Sequence, residues 1–313
     1  MANSVTSGLN TMRYLVSVAL LMTLTACSKE PPFFVDEARQ RSISYHILAP
    51  DESRDPAPLI IFSHGSGGDW TNHEWLMRAL VEAGFLTAAV NHPGNTTMDN
   101  SNEGVVQVWQ RPQDLTKLLD HLLSDSVWGT RIDESRIGAA GFSSGGYTVI
   151  ALAGAEYQSG LLTQYCAQED HGPDCNLANP DLEVDLSGSD RSFRDQRVAA
   201  VFAMAPAVGP AITAESLALL DLPVLIVAAK DDELVYPKFS AEHYAKHIPG
   251  AELDILPTGG HFIFLECNIG THIFDWFIDT LDLCGTNFEV DRQTAREEIA
   301  EQAVQFFKTS LSL

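Results

Sequence analysis

Three residues far apart along the chain have the types and surroundings for acyl chemistry: Ser143, Asp232 and His261. Ser143 is the centre of Gly141-Phe142-Ser143-Ser144-Gly145, between an apolar run at 136–140 and a run of small and aliphatic residues at 146–155. G-x-S-x-G between a strand and a helix is the pattern of a nucleophile elbow. Its glycines let the backbone turn sharply and pack closely around a serine in a strained conformation. The pentapeptide alone is common because Gly and Ser are common; its flanks and its partners give it weight. A serine hydroxyl is a weak nucleophile at neutral pH and needs a base. Histidine suits that task, with a pKa of about 6.5. Of ten histidines, His261 is the one that follows a late strand within a Gly-rich turn, Thr258-Gly259-Gly260-His261-Phe262. An acid must fix its tautomer. The run Lys230-Asp231-Asp232-Glu233 follows a strand ending at Ala229, which makes Asp232 the first candidate and Asp231 the reserve. A surface histidine and a helix-capping aspartate are the plain alternatives.

Acyl transfer also builds negative charge on a carbonyl oxygen, and backbone N–H groups must be aimed at it. Ser144, the residue after the nucleophile, supplies one expected donor. The other is expected from the glycine-rich loop Ser63-His64-Gly65-Ser66-Gly67-Gly68, at Ser66 or alternatively at Gly67. A phosphate-binding loop is the competing reading, but the Lys-Ser/Thr ending of that motif is missing. His64 is expected to order this loop rather than to act as the base. No metal or organic cofactor is required by this chemistry.

These residues need a frame. Apolar runs at 43–48, 58–62, 85–90, 136–140, 198–204, 224–229 and 251–256 predict strands, several of them buried on both faces. Helices are predicted at 70–83, 112–123, 146–155, 237–247 and 292–308. In the second of these, Leu115, Leu118, Leu119, Leu122 and Leu123 share one stripe, and Pro112 suits a first turn. Strands alternating with helices predict an α/β class: a mostly parallel sheet with helices on both faces, and sites at the carboxyl ends of strands. No linker or internal repeat divides the chain, so 43–313 is expected to be one domain and 28–42 an N-terminal tether. The stretch at about 156–197 interrupts the alternation and reads as an acidic insertion. Its Asp181, Glu183, Asp185 and Asp190 are a possible calcium set, with a solvated loop the commoner reading.

The chain has 42 acidic and 19 basic residues, a formal charge of −23. Such a surface repels nucleic acid and anionic lipid headgroups. Arg13 precedes an apolar run, 14–24, of signal-peptide length and too short for a comfortable membrane span. It ends in Leu24-Thr25-Ala26-Cys27, which resembles the lipobox of bacterial lipoproteins. The resemblance implies that residues 1–27 serve export and that Cys27 is lipidated, with Ser28 favouring the outer membrane. Cys166, Cys175, Cys267 and Cys284 remain, an even count that suggests two disulfides in an exported chain. Three pairings are open, with Cys166–Cys175 and Cys267–Cys284 preferred as the local one. The spacing of the first two fits no zinc pattern.

Ser63 to Gly68, Asn91-His92-Pro93-Gly94-Asn95, the elbow and Gly259-Gly260-His261-Phe262 together resemble the dienelactone-hydrolase and platelet-activating-factor-acetylhydrolase-like group of α/β-hydrolases. The similarity runs from about Ile43 to the final helix. It implies a sheet of about eight strands and a Ser–Asp–His triad, here Ser143, Asp232 and His261. A small-molecule ester is the expected substrate, and no obligate protein partner is evident in the sequence. True dienelactone hydrolases use cysteine where Ser143 stands, which argues against dienelactone as substrate. Peptide cleavage or acyl transfer on the same triad is the second expectation, although peptidases of this kind usually carry an added domain for which this chain lacks room. A lipoprotein that keeps the fold without catalysis is the third. Trp70, Trp75, Trp109 and Phe142 are candidates either for a substrate pocket or for the core.

Overall fold

A computed structural model describes residues 31–50, 56–173, 175, 184–266 and 291–313. The expected lipidation site Cys27, the second expected disulfide (Cys267 and Cys284) and half of the acidic set (Asp181 and Glu183) lie outside the described residues. The chain divides into two units, Met1–Pro32 and Phe33–Leu313, and every strand and helix named here belongs to the second.

The strands are β1 Phe33–Asp36, β2 Arg41–Leu48, β3 Ala57–Ser63, β4 Leu86–Val90, β5 Ile132–Phe142, β6 Val198–Met204, β7 Val224–Ala229 and β8 Glu252–Leu256. They form one eight-stranded sheet in the order β1-β2-β4-β3-β5-β6-β7-β8. The pairings β1–β2 and β2–β4 are antiparallel; β3–β4, β3–β5, β5–β6, β6–β7 and β7–β8 are parallel. The expected α/β architecture is therefore the observed one. The helices are α1 Glu74–Glu82, α2 Asn102–Val106, α3 Gln110–Ser124, α4 Ser144–Ala153, α5 Ser159–Cys166, α6 Ala214–Leu217, α7 Ala241–His247 and α8 Arg292–Ser310. None of the described helices is long and apolar enough to cross a membrane.

Strand side chains alternate between two cores. In β3, Leu59 and Ile61 face a core shared with Leu115, Leu118, Leu119 and Leu122 of α3 and the aliphatic residues of α4. Ile60 and Phe62 face the other, with Leu76, Met77 and Leu80 of α1 and Ile299, Ala303 and Phe307 of α8. All seven residues of β3 are buried, as a continuous apolar run between two helical layers requires. Crossovers leave β3 toward β4 on one side while β5 pairs on its other side, so β3 and β5 flank the point where the winding reverses. Loops that leave the carboxyl ends of two such strands diverge and open a crevice.

The segment expected to be a tether, 28–42, is corrected: Phe33–Asp36 is a sheet strand paired with β2, and the sheet begins before residue 43. Its cause is local. Asp36 Oδ1 accepts from the amide of Ala38 (3.1 Å), and Gln40 takes φ 53°, which closes a tight turn back into β2. The alternation of Phe33, Phe34 and Val35 is too short to register as a periodic run. The stretch at 156–197 holds a helix, α5, at whose end the disulfide Cys166–Cys175 forms.

Candidate active site

β5 ends at Phe142, and the chain reverses at Ser143 with φ 55° and ψ −119° before α4 begins. A positive φ at a non-glycine residue costs on the order of 1–3 kcal/mol, so the surroundings must enforce it. They do so by close approach. A Cβ at Gly141 would lie 2.2 Å from the Gly145 carbonyl oxygen, and one at Gly145 would lie 2.0 Å from that of Ser63. One at Gly146 would meet Pro206 Cα at 2.8 Å. The elbow is wedged between the ends of β3 and β6, and only glycine fits at these positions. The Ser143 amide donates to the Met204 carbonyl (2.9 Å), and the Ser143 carbonyl accepts from Ala207 N (3.0 Å).

The structure brings the three sequence-predicted residues together. Ser143 Oγ lies 3.0 Å from His261 Nε2, and His261 Nδ1 lies 2.7 Å from Asp232 Oδ2. Asp232 Oδ1 accepts from the amides of Leu234 (3.0 Å) and Val235 (2.7 Å), which locks the carboxylate in place. Each residue sits just past the carboxyl end of a strand: Ser143 after β5, Asp232 after β7, His261 after β8. Asp231, the reserve, is exposed at the surface, and Asp232 is the acid that meets the imidazole. Phe142 backs the imidazole, with ring centroids 4.8 Å apart.

The loop after β3 runs beside the nucleophile. A Cβ at Gly65 would stand 3.5 Å from Ser143 Cβ, and the loop is closed by Gly68 N donating to the Gly65 carbonyl (3.2 Å). Ser66 is at its exposed tip, and Gly67 follows in the left-handed region at φ +67°. Ser144 opens α4, so its amide is among the first-turn donors that no intrahelical carbonyl can satisfy. His64 is fully buried; its Nδ1 donates to the Gly65 carbonyl (2.6 Å) and its Nε2 accepts from the His92 amide (3.0 Å). It orders the loop and does not face Ser143 as a base.

A second Ser–His–Asp chain, with no signature in the sequence, lies behind the loop. Ser63 Oγ lies 2.9 Å from His92 Nε2, and His92 Nδ1 lies 2.9 Å from Asp114 Oδ2. All three are fully buried, which closes this set to substrate. Burial, helped by the nearby charge of Arg111, pushes the His92 pKa down to about 3. Burial alone would raise the Asp114 carboxyl, but the hydrogen bond from His92 and the charges of Arg41 and Arg39 outweigh it and hold it at about 2. The pair is therefore a neutral imidazole on a carboxylate that is charged by its two arginines, with Arg39 Nη2 at 2.7 Å and Arg41 Nη2 at 3.0 Å. Arg111 and Asp114 were legible in principle. They stand at i, i+3 on α3 and continue the stripe of Leu115, Leu118, Leu119 and Leu122 toward its start, so a helical projection buries them.

The aromatic candidates for a pocket are packed. Trp109 is buried against Tyr157 (5.7 Å), Trp70 stacks on His46 (3.7 Å), and Trp75 Nε1 donates to the Phe264 carbonyl (3.2 Å). Of the acidic insertion, Asp185 accepts from Ser187 N (2.8 Å) and Asp190 from Ser189 Oγ (2.7 Å), which are local turn contacts. Among the described residues no group of three His, Cys, Asp or Glu side chains stands close enough to hold a metal ion.

No protein-family model matches the chain, and no curated protein matches it in sequence. Solved structures do match. The chain is similar to a ferulic acid esterase from Streptomyces cinnamoneus, with TM-score 0.58 and 19% identity over 88% of this chain and 84% of that one. It is similar to dienelactone hydrolase from Anabaena variabilis, with TM-score 0.51 and 14% identity over 90% of this chain and 99% of that one. An acylaminoacyl peptidase from Pyrococcus horikoshii matches with TM-score 0.53 and 15% identity, over 94% of this chain but 44% of that one. Together with the strand order, these likenesses show that the chain has the α/β-hydrolase fold.

Proposed function

We propose that this protein is a serine hydrolase that cleaves carboxylic esters through an acyl-enzyme. One observation carries the reading: an unbroken hydrogen-bond chain from Ser143 Oγ through His261 to Asp232, starting at a serine held in a strained elbow. In this reading Ser143 Oγ attacks the ester carbonyl and His261 Nε2 takes its proton. Asp232 keeps the other ring proton on Nδ1 and stabilises the imidazolium. The amides of Ser144 and Ser66 hold the oxyanion. His261 then protonates the departing alcohol, and a water activated by the same imidazole releases the acid. No step calls on a metal or an organic cofactor.

The test is turnover of a p-nitrophenyl ester by the parent protein and by Ser143→Ala. Loss in the variant, with its circular dichroism unchanged, supports the reading; equal turnover contradicts it. A ferulate ester belongs in the first substrate panel because one neighbour in fold is a ferulic acid esterase. Peptide substrates belong beside it because another is a peptidase, and amide cleavage would use the same groups.

We also propose that the protein is exported and anchored in a bacterial outer membrane through a lipid on Cys27. The Cys166–Cys175 disulfide supports an oxidising compartment. Incorporation of labelled fatty acid in cells, abolished by Cys27→Ser, is the expected result; incorporation that survives this change removes the anchor.

A further inference from the structure

Arg111 is fully buried, and its three nitrogens reach three different segments. Nη2 donates to the carbonyl of His64, in the loop after β3. Nη1 donates to Asn95 Oδ1 (2.7 Å), and Asn95 Nδ2 in turn donates to Ser66 Oγ (2.9 Å). Nε donates to Thr148 Oγ1 (3.3 Å), and Thr148 Oγ1 donates to the carbonyl of Ser144 (2.7 Å). One guanidinium thus links, through a single intermediary on each side, the two residues whose amides are assigned to the oxyanion hole. The loop and α4 share no covalent connection near the site, because Ser66 and Ser144 are 78 positions apart in sequence. Their mutual placement must come from packing and from this bridge.

The arrangement has the features of a fixed strut. Burial lowers the Arg111 pKa to about 9, with Asp114 opposing that shift, so the group stays cationic at neutral pH. All three kinds of nitrogen are satisfied, as a buried guanidinium requires. Its planar fork fixes directions as well as distances, which a lysine cannot do. Asp114, with His92 and Ser63, anchors the other side of the same loop base.

We propose that Arg111, acting through Asn95 and Thr148, is a positioning residue that sets the spacing of the two oxyanion donors, Ser66 N–H and Ser144 N–H. The inference rests on the serine-esterase reading and deepens it. Arg111 does not touch substrate; it decides whether two donors can converge on one oxygen. Misplacing a catalytic group by about 1 Å can cost on the order of a hundredfold in rate.

The experiment compares Arg111→Lys, Thr148→Val and Thr148→Ser with the parent, using ester turnover and inhibition by a trifluoromethyl ketone isostere of the ester. That inhibitor forms a serine adduct whose anionic oxygen needs the same two donors. Arg111→Lys and Thr148→Val are expected to lower kcat about ten- to a hundredfold, to leave KM within about threefold, and to weaken the ketone by the same factor as kcat/KM. Thr148→Ser keeps the hydroxyl and is expected to recover most of the loss. Folded Arg111→Lys and Thr148→Val proteins with parental kcat and ketone affinity overturn the inference. So does a loss that appears in KM while kcat and ketone affinity hold. Should Arg111→Lys fail to fold, Thr148→Val alone decides, since it removes one hydroxyl at nearly constant volume. Ser143→Ala is measured alongside. If it turns over ester normally, the esterase reading falls and the inference with it; if it is dead while the Arg111 and Thr148 variants match the parent, only the positioning role falls.

Discussion

The carboxylate of Asp232 divides its two oxygens between two tasks: Oδ2 lies 2.7 Å from His261 Nδ1, while Oδ1 accepts the amides of Leu234 and Val235. An asparagine can keep the second task and must fail at the first, because its NH2 would face a nitrogen that needs an acceptor. Asp232→Asn is therefore expected to fold normally and to lose about 10⁴-fold in kcat, through the wrong imidazole tautomer. Ester kinetics together with thermal melting check this. A loss of less than about tenfold would remove Asp232 from the triad.

The elbow glycines are constrained by backbone rather than by mobile side chains. A Cβ at Gly145 would sit 2.0 Å from the Ser63 carbonyl oxygen, whereas one at Gly160, in α5, would meet nothing within 4 Å among the described residues. Gly145→Ala is expected to destabilise the fold by more than about 3 kcal/mol, or to leave an inactive protein with a displaced elbow. Gly160→Ala is expected to stabilise by about 0.5–1 kcal/mol, as alanine does inside a helix. Urea unfolding of both variants against the parent tests the contrast.

Acid should unfold this protein through histidines as well as carboxylates. Burial lowers the pKa of His73, aided by Arg296, and that of His92, aided by Arg111, each to about 3. Burial and the charge of Arg111 push His64 well below its ordinary value. The unfolded chain binds protons at these sites from about pH 6.5 downward and the folded chain does not, so stability rises with pH across that window. Each such histidine contributes a loss of up to about 1.4 kcal/mol per pH unit as pH falls from 6.5 toward 3. Above about pH 7.5 they contribute no slope. His73 is the informative one: neither ring nitrogen has a hydrogen-bond partner among the described residues, and the ring lies between Phe62 and Phe142 at 5.0 Å each. His73→Leu is expected to raise the urea midpoint relative to the parent at pH 5 by more than at pH 8. Parallel curves at the two pH values would contradict this.

Cys166 and Cys175 close a nine-residue separation at the end of α5. Tyr165 packs on Phe239 (5.1 Å), and Asp170 pairs with Lys238 (3.5 Å), in the segment that follows Asp232. Reduction is expected to cost about 2–3 kcal/mol and roughly 5 °C in Tm. Melting with and without a reductant, with Cys166→Ala as the control, measures it.

Much of the fold and of the site is legible in the residues alone. Strands 198–204 and 224–229 have the bounds expected of them because both are uninterrupted apolar runs between turn residues. Ser143, Asp232 and His261 are legible because each follows such a run, and strand ends are where this class of sheet exposes chemistry. β1 escapes a sequence reading because four residues carry too little periodicity and its pairing depends on a turn set by Asp36 and Gln40. Helix α5 is hidden in a stretch whose acids and cysteines dominate its composition. The Arg111–Asp114–His92 network escapes for another reason: charged side chains read as solvent-facing until their phase on the leucine stripe is counted. Nothing local in Asn95 or Thr148 announces that either touches a guanidinium, since those contacts span 16 and 37 positions.

The most direct measurement is covalent. A fluorophosphonate probe incubated with the purified protein, followed by peptide mass spectrometry, reports which hydroxyl is nucleophilic. A single stoichiometric adduct on Ser143 is expected, absent from Ser143→Ala and from His261→Ala, with Ser63 unmodified although it also contacts a histidine. An unmodified Ser143 in folded protein, or an adduct that forms equally well without His261, would contradict it.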